Sequence, residues 1–495
     1  MSASCEGLNR KGNKMKLRQV CMQMSLLLGV VLASSAFAGN HAEYVGNGPF
    51  KNGPEVTKKC LECHDAEAHA FMKSVHWTWA KKQKINGKEM EFGKKNALNN
   101  FCVAVDSNWP RCTSCHAGYG WKDKNFDFSK AENIDCLVCH ETTGTYKKFP
   151  AAAGHPVYPG ETKEFPKGNV WKPVDLVKVA QSVGKPTRSA CGSCHFYGGG
   201  GDRVKHGDLD SSLKNPAADI DVHMGGKAKM DCQACHKGGK DHAIKGEAAS
   251  VSVGSGKKVF GCTDCHKGDV HKNALLNKHT KRVACQTCHI PTFAKAAPTK
   301  TWWDWSTAGK DMKDVPKDKY GEKTYDKMKG DFKWEKDVVP TYYWYNGTVS
   351  RVLVGDKINP KKVVALSAAN GNKKDKNAKI FPFKVMRGKQ PYDSINNTVA
   401  IVNTFGPPTS ESAYWVKYDW NKAIAAGMKV AGQPYSGQFG FVETSMVWPV
   451  NHMVSPKAKA LQCIDCHGKN GRLDWKALGY TGDPRDAKKA KKDKK

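Results

Sequence analysis

The chain has 495 residues, 25% of them charged, a formal net charge of +32 and 19 cysteines. That length holds two or three ordinary domains. Cysteine at this density in a long chain points to disulfides, metal sites or covalent cofactor attachment, and the spacing decides between them.

Residues 1–38 read as an export signal that lies outside the fold. Lys16 and Arg18 form a positive start, Met22 to Ala33 an apolar stretch, and Ala36-Phe37-Ala38 a cleavage site. The mature chain then begins near Gly39, with Met15 as an alternative start of translation. The apolar stretch is short for a membrane span, and nothing later in the chain resembles one, so no span is expected after cleavage. A basic surface ordinarily suggests nucleic acid or anionic lipid. Export argues against nucleic acid and places the protein in the periplasm. Loss of the leader removes five cations and Glu6 and leaves +28.

The mature chain repeats C-x-x-C-H eight times: Cys60, Cys63, His64; Cys112, Cys115, His116; Cys136, Cys139, His140; Cys191, Cys194, His195; Cys232, Cys235, His236; Cys262, Cys265, His266; Cys285, Cys288, His289; and Cys463, Cys466, His467. This is the attachment pattern of c-type haem. Two thiols bind the macrocycle as thioethers and the adjacent histidine lies under the iron. Zinc would need the pairs two by two, without a histidine after each. Eight covalent haems follow, and their propionates balance much of the lysine excess. Of the remaining cysteines, Cys5 and Cys21 lie in the leader and only Cys102 is left over.

Ten histidines lie outside the motifs: His41, His69, His76, His155, His206, His223, His242, His271, His279 and His452. Electron-transfer haems often take a second histidine, so most of these are candidate distal ligands. Their pairing is not readable from sequence.

Seven motifs fall in 39–296. The fold class expected is a mainly α multihaem cytochrome with little regular core, its helical patterns including 68–82 and 174–183. Gly198-Gly199-Gly200-Gly201 lacks the flanking signature of a phosphate loop and reads as close backbone packing beside a haem. Residues 297–445 contain no cysteine and are aromatic-rich. They form a smaller β-containing region between the seventh and eighth motifs, with strand-like composition near 340–354 and 380–404 and a helical stretch over 412–430. Residues 446–484 carry the eighth haem, folded back on the other seven, and 485–495 are a lysine-rich solvated tail.

Several segments together are far more specific than the haem motif. They are Ser74-Val75-His76-Trp77, Asn99-Asn100-Phe101-Cys102, Gly118-Tyr119-Gly120, Thr142-Thr143-Gly144, Val204-Lys205-His206-Gly207-Asp208, Asp221-Val222-His223-Met224 and Trp303-Asp304-Trp305. By these the chain resembles the octahaem tetrathionate reductases of respiratory bacteria, relatives of hydroxylamine oxidoreductase, over nearly all its mature length. The resemblance implies seven haems with two histidines each and one catalytic haem on the second motif, with Cys112, Cys115 and His116 as its proximal set and a lysine on its distal side. It implies His76, His206, His223, His242, His271, His279 and His452 as distal ligands, leaving His41, His69 and His155 spare. For the lysine, the Lys147–Lys148 pair is favoured over Lys167 and Lys185; a ligating lysine must be neutral, which desolvation promotes. Cys102 reads either as an active-site thiol or as a buried structural cysteine, and Asp106 and Asp135 are candidates to line the same site.

The resemblance implies a reductase of small anionic substrates, tetrathionate to thiosulfate, with nitrite and hydroxylamine also taken. Electrons come from a quinol-linked or periplasmic cytochrome, and calcium accompanies catalytic sites in related multihaem reductases. Two competing readings are a pure electron carrier and an enzyme that oxidises hydroxylamine.

Overall fold

The computed structural model describes residues 41–166, 168–246 and 261–486. The leader, Lys167 and the tail beyond 486 lie outside the described residues.

After a short helix α1 (His41–Val45), helix α2 (Gly53–Phe71) opens on Asn52, whose side-chain oxygen accepts the Glu55 N–H at 3.0 Å. It carries the first motif, and its backbone kinks at His64. The helical pattern expected over 68–82 is broken. α2 stops at Phe71, the single turn α3 (Val75–Thr78) ends on a left-handed Trp79, and a hairpin follows. Its strands are β1 (Lys81–Ile85) and β2 (Lys88–Phe92). Asn86-Gly87, both at positive φ, makes the two-residue turn that suits antiparallel strands. Alternating burial of the lysine-rich β1 against Ile85 wins over its helical periodicity.

Most later motifs occupy a helical turn of their own: α4 (Trp109–Cys112) begins the second, and α5 (Leu137–His140), α6 (Arg188–His195), α7 (Cys232–Cys235), α8 (Cys262–Cys265) and α9 (Cys285–His289) carry the third to seventh. Cysteines three apart on such a turn share one face.

The β-containing region is larger than its composition suggests. Eight strands form one mixed sheet: β3 (Thr299–Asp304), β4 (Tyr325–Asp326), β5 (Gly330–Glu335), β6 (Thr341–Tyr345), β7 (Val364–Ala365), β8 (Lys379–Asp393), β9 (Thr398–Val399) and β10 (Phe439–Pro449). The order is β7-β10-β8-β3-β5-β4, with β6 and β9 also pairing β8. β8 and β10 pair antiparallel through eleven residues, so the compositional boundary at 446 falls inside a strand. The helical stretch over 412–430 resolves into a turn at Tyr414–Lys417 and a helix, α10 (Trp420–Val430), capped by Asp419.

The chain does have a substantial core, and it sits on this sheet. Trp303, Trp305, Met386, Met446 and Trp448 pack with Ile424 and Met428 of α10, Ile85 and Phe92 of the hairpin, and Phe101 and Val103 of the loop before the second motif. Gly199 and Gly200 sit at positive φ, where a Cβ would meet the Phe101 and Trp303 rings. The close backbone packing expected there is against these aromatic rings. The last motif, on α11 (Cys463–Cys466), folds back: Leu473 and Leu478 pack on Tyr342 and Trp344, and Arg472 donates to the Pro291 carbonyl at 2.8 Å.

Candidate functional site: paired histidines and one exception

Seven motif histidines each face one other histidine. The ring centroids of His64–His41, His195–His76, His266–His223, His289–His271 and His467–His279 are 6.2 Å apart; those of His236–His452 are 6.3 Å and those of His140–His242 6.5 Å. Metal–imidazole bonds of about 2.0–2.1 Å on either side of one ion give a span of this size. The spacing thus fits an iron between each pair. The ring nitrogens fit as well. Nδ1 is held by the Gly184 carbonyl for His140 (2.9 Å), by Lys245 for His236 (3.0 Å), by Leu275 for His279 (2.8 Å) and by the Asp483 carboxylate for His467 (2.7 Å). Each leaves Nε2 free, the state an axial ligand requires.

The distal set departs from expectation at one position. His206 faces no motif histidine. It is half-buried with its ring 4.9 Å from Trp448 and Nδ1 3.9 Å from Asp208, and its partial burial pushes its pKa well down. His41, expected to be spare, takes the place opposite His64. His69 is exposed, bonded to the Asp65 carbonyl one turn earlier on α2.

The second motif is the exception. Its helix α4 tightens into a 3-10 turn, Thr113–Cys115, and His116 turns away into an aromatic box. Trp121, Trp77, Trp79 and Phe126 stand 4.9, 5.1, 5.5 and 5.6 Å from its ring. Its Nε2 donates to the Trp77 carbonyl at 2.7 Å, and its buried Nδ1 has no hydrogen-bond partner. The polarity is the reverse of that in the paired histidines: the nitrogen a metal would need is engaged. Burial holds this imidazole neutral, its pKa down at about 3. The resemblance implies His116 as the proximal ligand of the second haem; in this structure aromatic packing and the Trp77 carbonyl hold its ring. Gly118 allows the arrangement, since a Cβ there would strike Trp77 and His116.

Lys148 lies against the same backbone. Its Nζ donates to the carbonyls of His116 and Gly118 and pairs with Asp135 at 3.1 Å; its side chain is 6% exposed. Asp135, fully buried, also accepts from the Tyr119 hydroxyl (2.8 Å), the Tyr146 hydroxyl (2.9 Å) and the Val138 N–H (3.0 Å). Burial, followed by the Asp135 charge, pushes both tyrosines well up, so they stay protonated donors. Lys147 and Lys185 are exposed. His155 stacks on Tyr119 at 5.5 Å and gives Nδ1 to the Tyr158 hydroxyl at 2.7 Å, its pKa lowered to about 4 by burial and then by Lys148. The sequence offers His155 only as a spare histidine and gives neither Tyr119 nor Tyr146 a role, because neither hydroxyls nor a lone histidine carry a spacing signal.

Cys102 sits in a strained loop, with Val103 and Ser107 both at φ +70°. Asn99 accepts the Phe101 and Cys102 N–H groups. Asn108 ties the loop to the segment after β9, donating to the Val402 carbonyl at 2.8 Å and accepting from Thr404, and Asn100 ties it to the sheet, donating to the Met386 carbonyl of β8 at 2.8 Å. Burial raises the Cys102 thiol, against the pull of Arg111, Lys329, Lys300 and Lys94. The group is held as thiol, which opposes thiolate exchange. Asp106 in the same loop is pushed up to about 6 by burial.

Motif thiols also mark neighbours. Cys60 lies beside Cys136, Cys115 beside Cys194, Cys191 beside Cys232, and Cys262 beside Cys285. The fields of Cys139 on Cys191, Cys265 on Cys235 and Cys466 on Cys288 link the rest. The motifs thus run first–third–fourth–fifth–sixth–seventh–eighth, with the second branching from the fourth. Among the described residues, no group of three or more His, Cys, Asp or Glu side chains is placed to hold a metal ion. No helix among them is long and apolar enough to cross a membrane.

A family model described as "Cytochrome c bacterial" matches residues 300–470. An uncharacterized protein of Archaeoglobus fulgidus is 29% identical over 223 residues, 37% of this chain and 73% of that one. The crystal structure of octaheme cytochrome c from Shewanella oneidensis superposes with a TM-score of 0.82 at 50% identity, covering 91% of this chain and 99% of that chain.

Proposed function

This chain belongs to the octahaem c-type cytochromes, multihaem redox proteins with covalently bound haem c, and from that premise we propose that it is a periplasmic reductase with one catalytic haem and seven electron-carrying ones. The observation that carries the reading is the asymmetry among the eight motifs. Seven histidine pairs leave Nε2 atoms facing one another, an arrangement that closes both axial positions to substrate. At the second motif His116 is withdrawn and Lys148 is the buried nitrogen nearest its backbone. Lys148, as a neutral amine, would hold the haem iron at this motif in the histidine's place, and that iron would be open to a small substrate. Haem at this position supplies electrons singly, and an iron at which a small anion can bind.

The chain's own residues do the rest. Asp135 orients the Lys148 amine, and Tyr119 and Tyr146 fix the carboxylate. The cations of the loop region, Arg111 and Lys94 among them, favour a dianion such as tetrathionate. Two electrons delivered to its central S–S bond release two thiosulfates with no proton required, and the cations stabilise the charge that separates. Nitrite and hydroxylamine need protons as well, and Asp106 is a carboxyl able to hold one near neutral pH. Cys102 lines the approach as a thiol.

The test is viologen oxidation by the fully haem-loaded protein, with tetrathionate, nitrite and hydroxylamine offered separately. Turnover is expected with at least one of them. Lys148→Met lowers it by roughly 100-fold or more while seven low-spin bis-histidine signals remain. Wild-type protein that oxidises viologen with none of the three leaves a pure electron carrier.

A further inference from the structure

The groups behind the axial histidines differ in charge. Carbonyl oxygens hold Nδ1 of His140, His236 and His279, and an amide oxygen, Asn277 Oδ1, holds His271 at 3.2 Å. His467 alone has a carboxylate at 2.7 Å, Asp483 Oδ1. Asp483 is set firmly: Oδ2 accepts the Gly468 N–H at 3.1 Å, Oδ1 accepts the Arg485 N–H at 2.9 Å, and the side chain is 9% exposed. Trp475 stacks on the His467 ring at 5.2 Å and shields the pair from one side. Two further carboxylates lie behind axial histidines: Glu67, 3.9 Å from His64 Nδ1, and Asp208, 3.2 Å from His452 Nδ1, which like Asp483 also accepts two backbone N–H groups, those of Asn451 and His452. Both stand farther from their imidazoles than Asp483 does.

A full negative charge on Nδ1–H makes the imidazole a stronger donor to iron. The ferric state is then favoured and the reduction potential falls. Among the described residues the eighth motif is also the end of the thiol-to-thiol path, beside the seventh, and its Cys463 and Ile464 are exposed.

We propose that Asp483, a positioning residue behind His467, sets the eighth haem as the low-potential terminus of the electron path. The inference rests on the His467–His279 pairing of the proposed function. An electron placed on that haem moves to the seventh and onward with no bond made or broken, one iron being oxidised as the next is reduced.

The test is a spectropotentiometric titration of the haem-loaded wild type, Asp483→Asn, Asp483→Glu and Asp208→Asn, with low-spin signals counted by electron paramagnetic resonance. The lowest-potential component is expected to shift upward in Asp483→Asn, to stay in place in Asp483→Glu, and to be untouched by Asp208→Asn, which shifts a different component by less. Seven bis-histidine signals with an unshifted lowest component in Asp483→Asn overturn the inference. Fewer than seven in the wild type overturn the pairing on which it rests.

Discussion

The haem-motif half and the sheet half of this molecule are built on different principles. In the first, motif turns of a few residues are tied together by histidine pairs 6.2–6.5 Å apart, and its local clusters of buried side chains are small. In the second, β8 and β10 run side by side and a contiguous core fills the space between sheet, hairpin and α10. One half depends on its cofactors for cohesion, the other on buried apolar area. The catalytic candidate lies where they meet, since the loop carrying Cys102 is anchored to the sheet and leads into the second motif.

The contrast is broken most strongly at Asp135. Asp135→Asn removes the buried carboxylate shared by Lys148 Nζ and the Tyr119 and Tyr146 hydroxyls, a loss of about 3–5 kcal/mol. Denaturant unfolding should show it, and the spectrum of the second haem should change while the paired haems stay. Ile424→Ala, deep in the sheet core, should cost about 2–5 kcal/mol and leave the haem spectrum intact. A loss of low-spin signal in that variant would join the two halves into one cooperative unit.

Asp106→Asn acts with the opposite sign. Burial raises this carboxyl to about 6, so its ionised form destabilises the folded state. The substitution should be neutral below about pH 4, where the group is protonated folded or unfolded. Above about pH 6 it should stabilise by on the order of 2–3 kcal/mol, read from unfolding midpoints at both pH values. The smallest effect is expected at His206→Phe, within about 1 kcal/mol and with seven bis-histidine signals retained. His41→Ala should remove one.

The attachment motifs were legible because five consecutive residues encode each one. The aromatic, cysteine-free stretch announced β structure, and 380–404 was placed near β8. The strands β3, β5 and β10 were not recognised, since their mixed charges and aromatics settle into strands only when paired. The hairpin at 81–92 was hidden by lysines whose period satisfies a helix equally well. Of the seven distal histidines the resemblance implies, six face a motif histidine. His206 sits in an equally distinctive segment, but Trp448 and Asp208 claim it.

The sequence by itself determined how many haems the chain can attach and by which thiols, because thioether chemistry is local. It also carried the pairing of charge with cofactor, the excess of lysine answering the propionates. Only the tertiary structure decided which histidine stands opposite which, because ligation joins residues far apart in the chain. The same holds for the placing of His116 in its tryptophan box and for the burial of Lys148 beside its exposed neighbour Lys147. Burial and hydrogen-bond partners distinguish those two adjacent lysines, and both are properties of the folded environment.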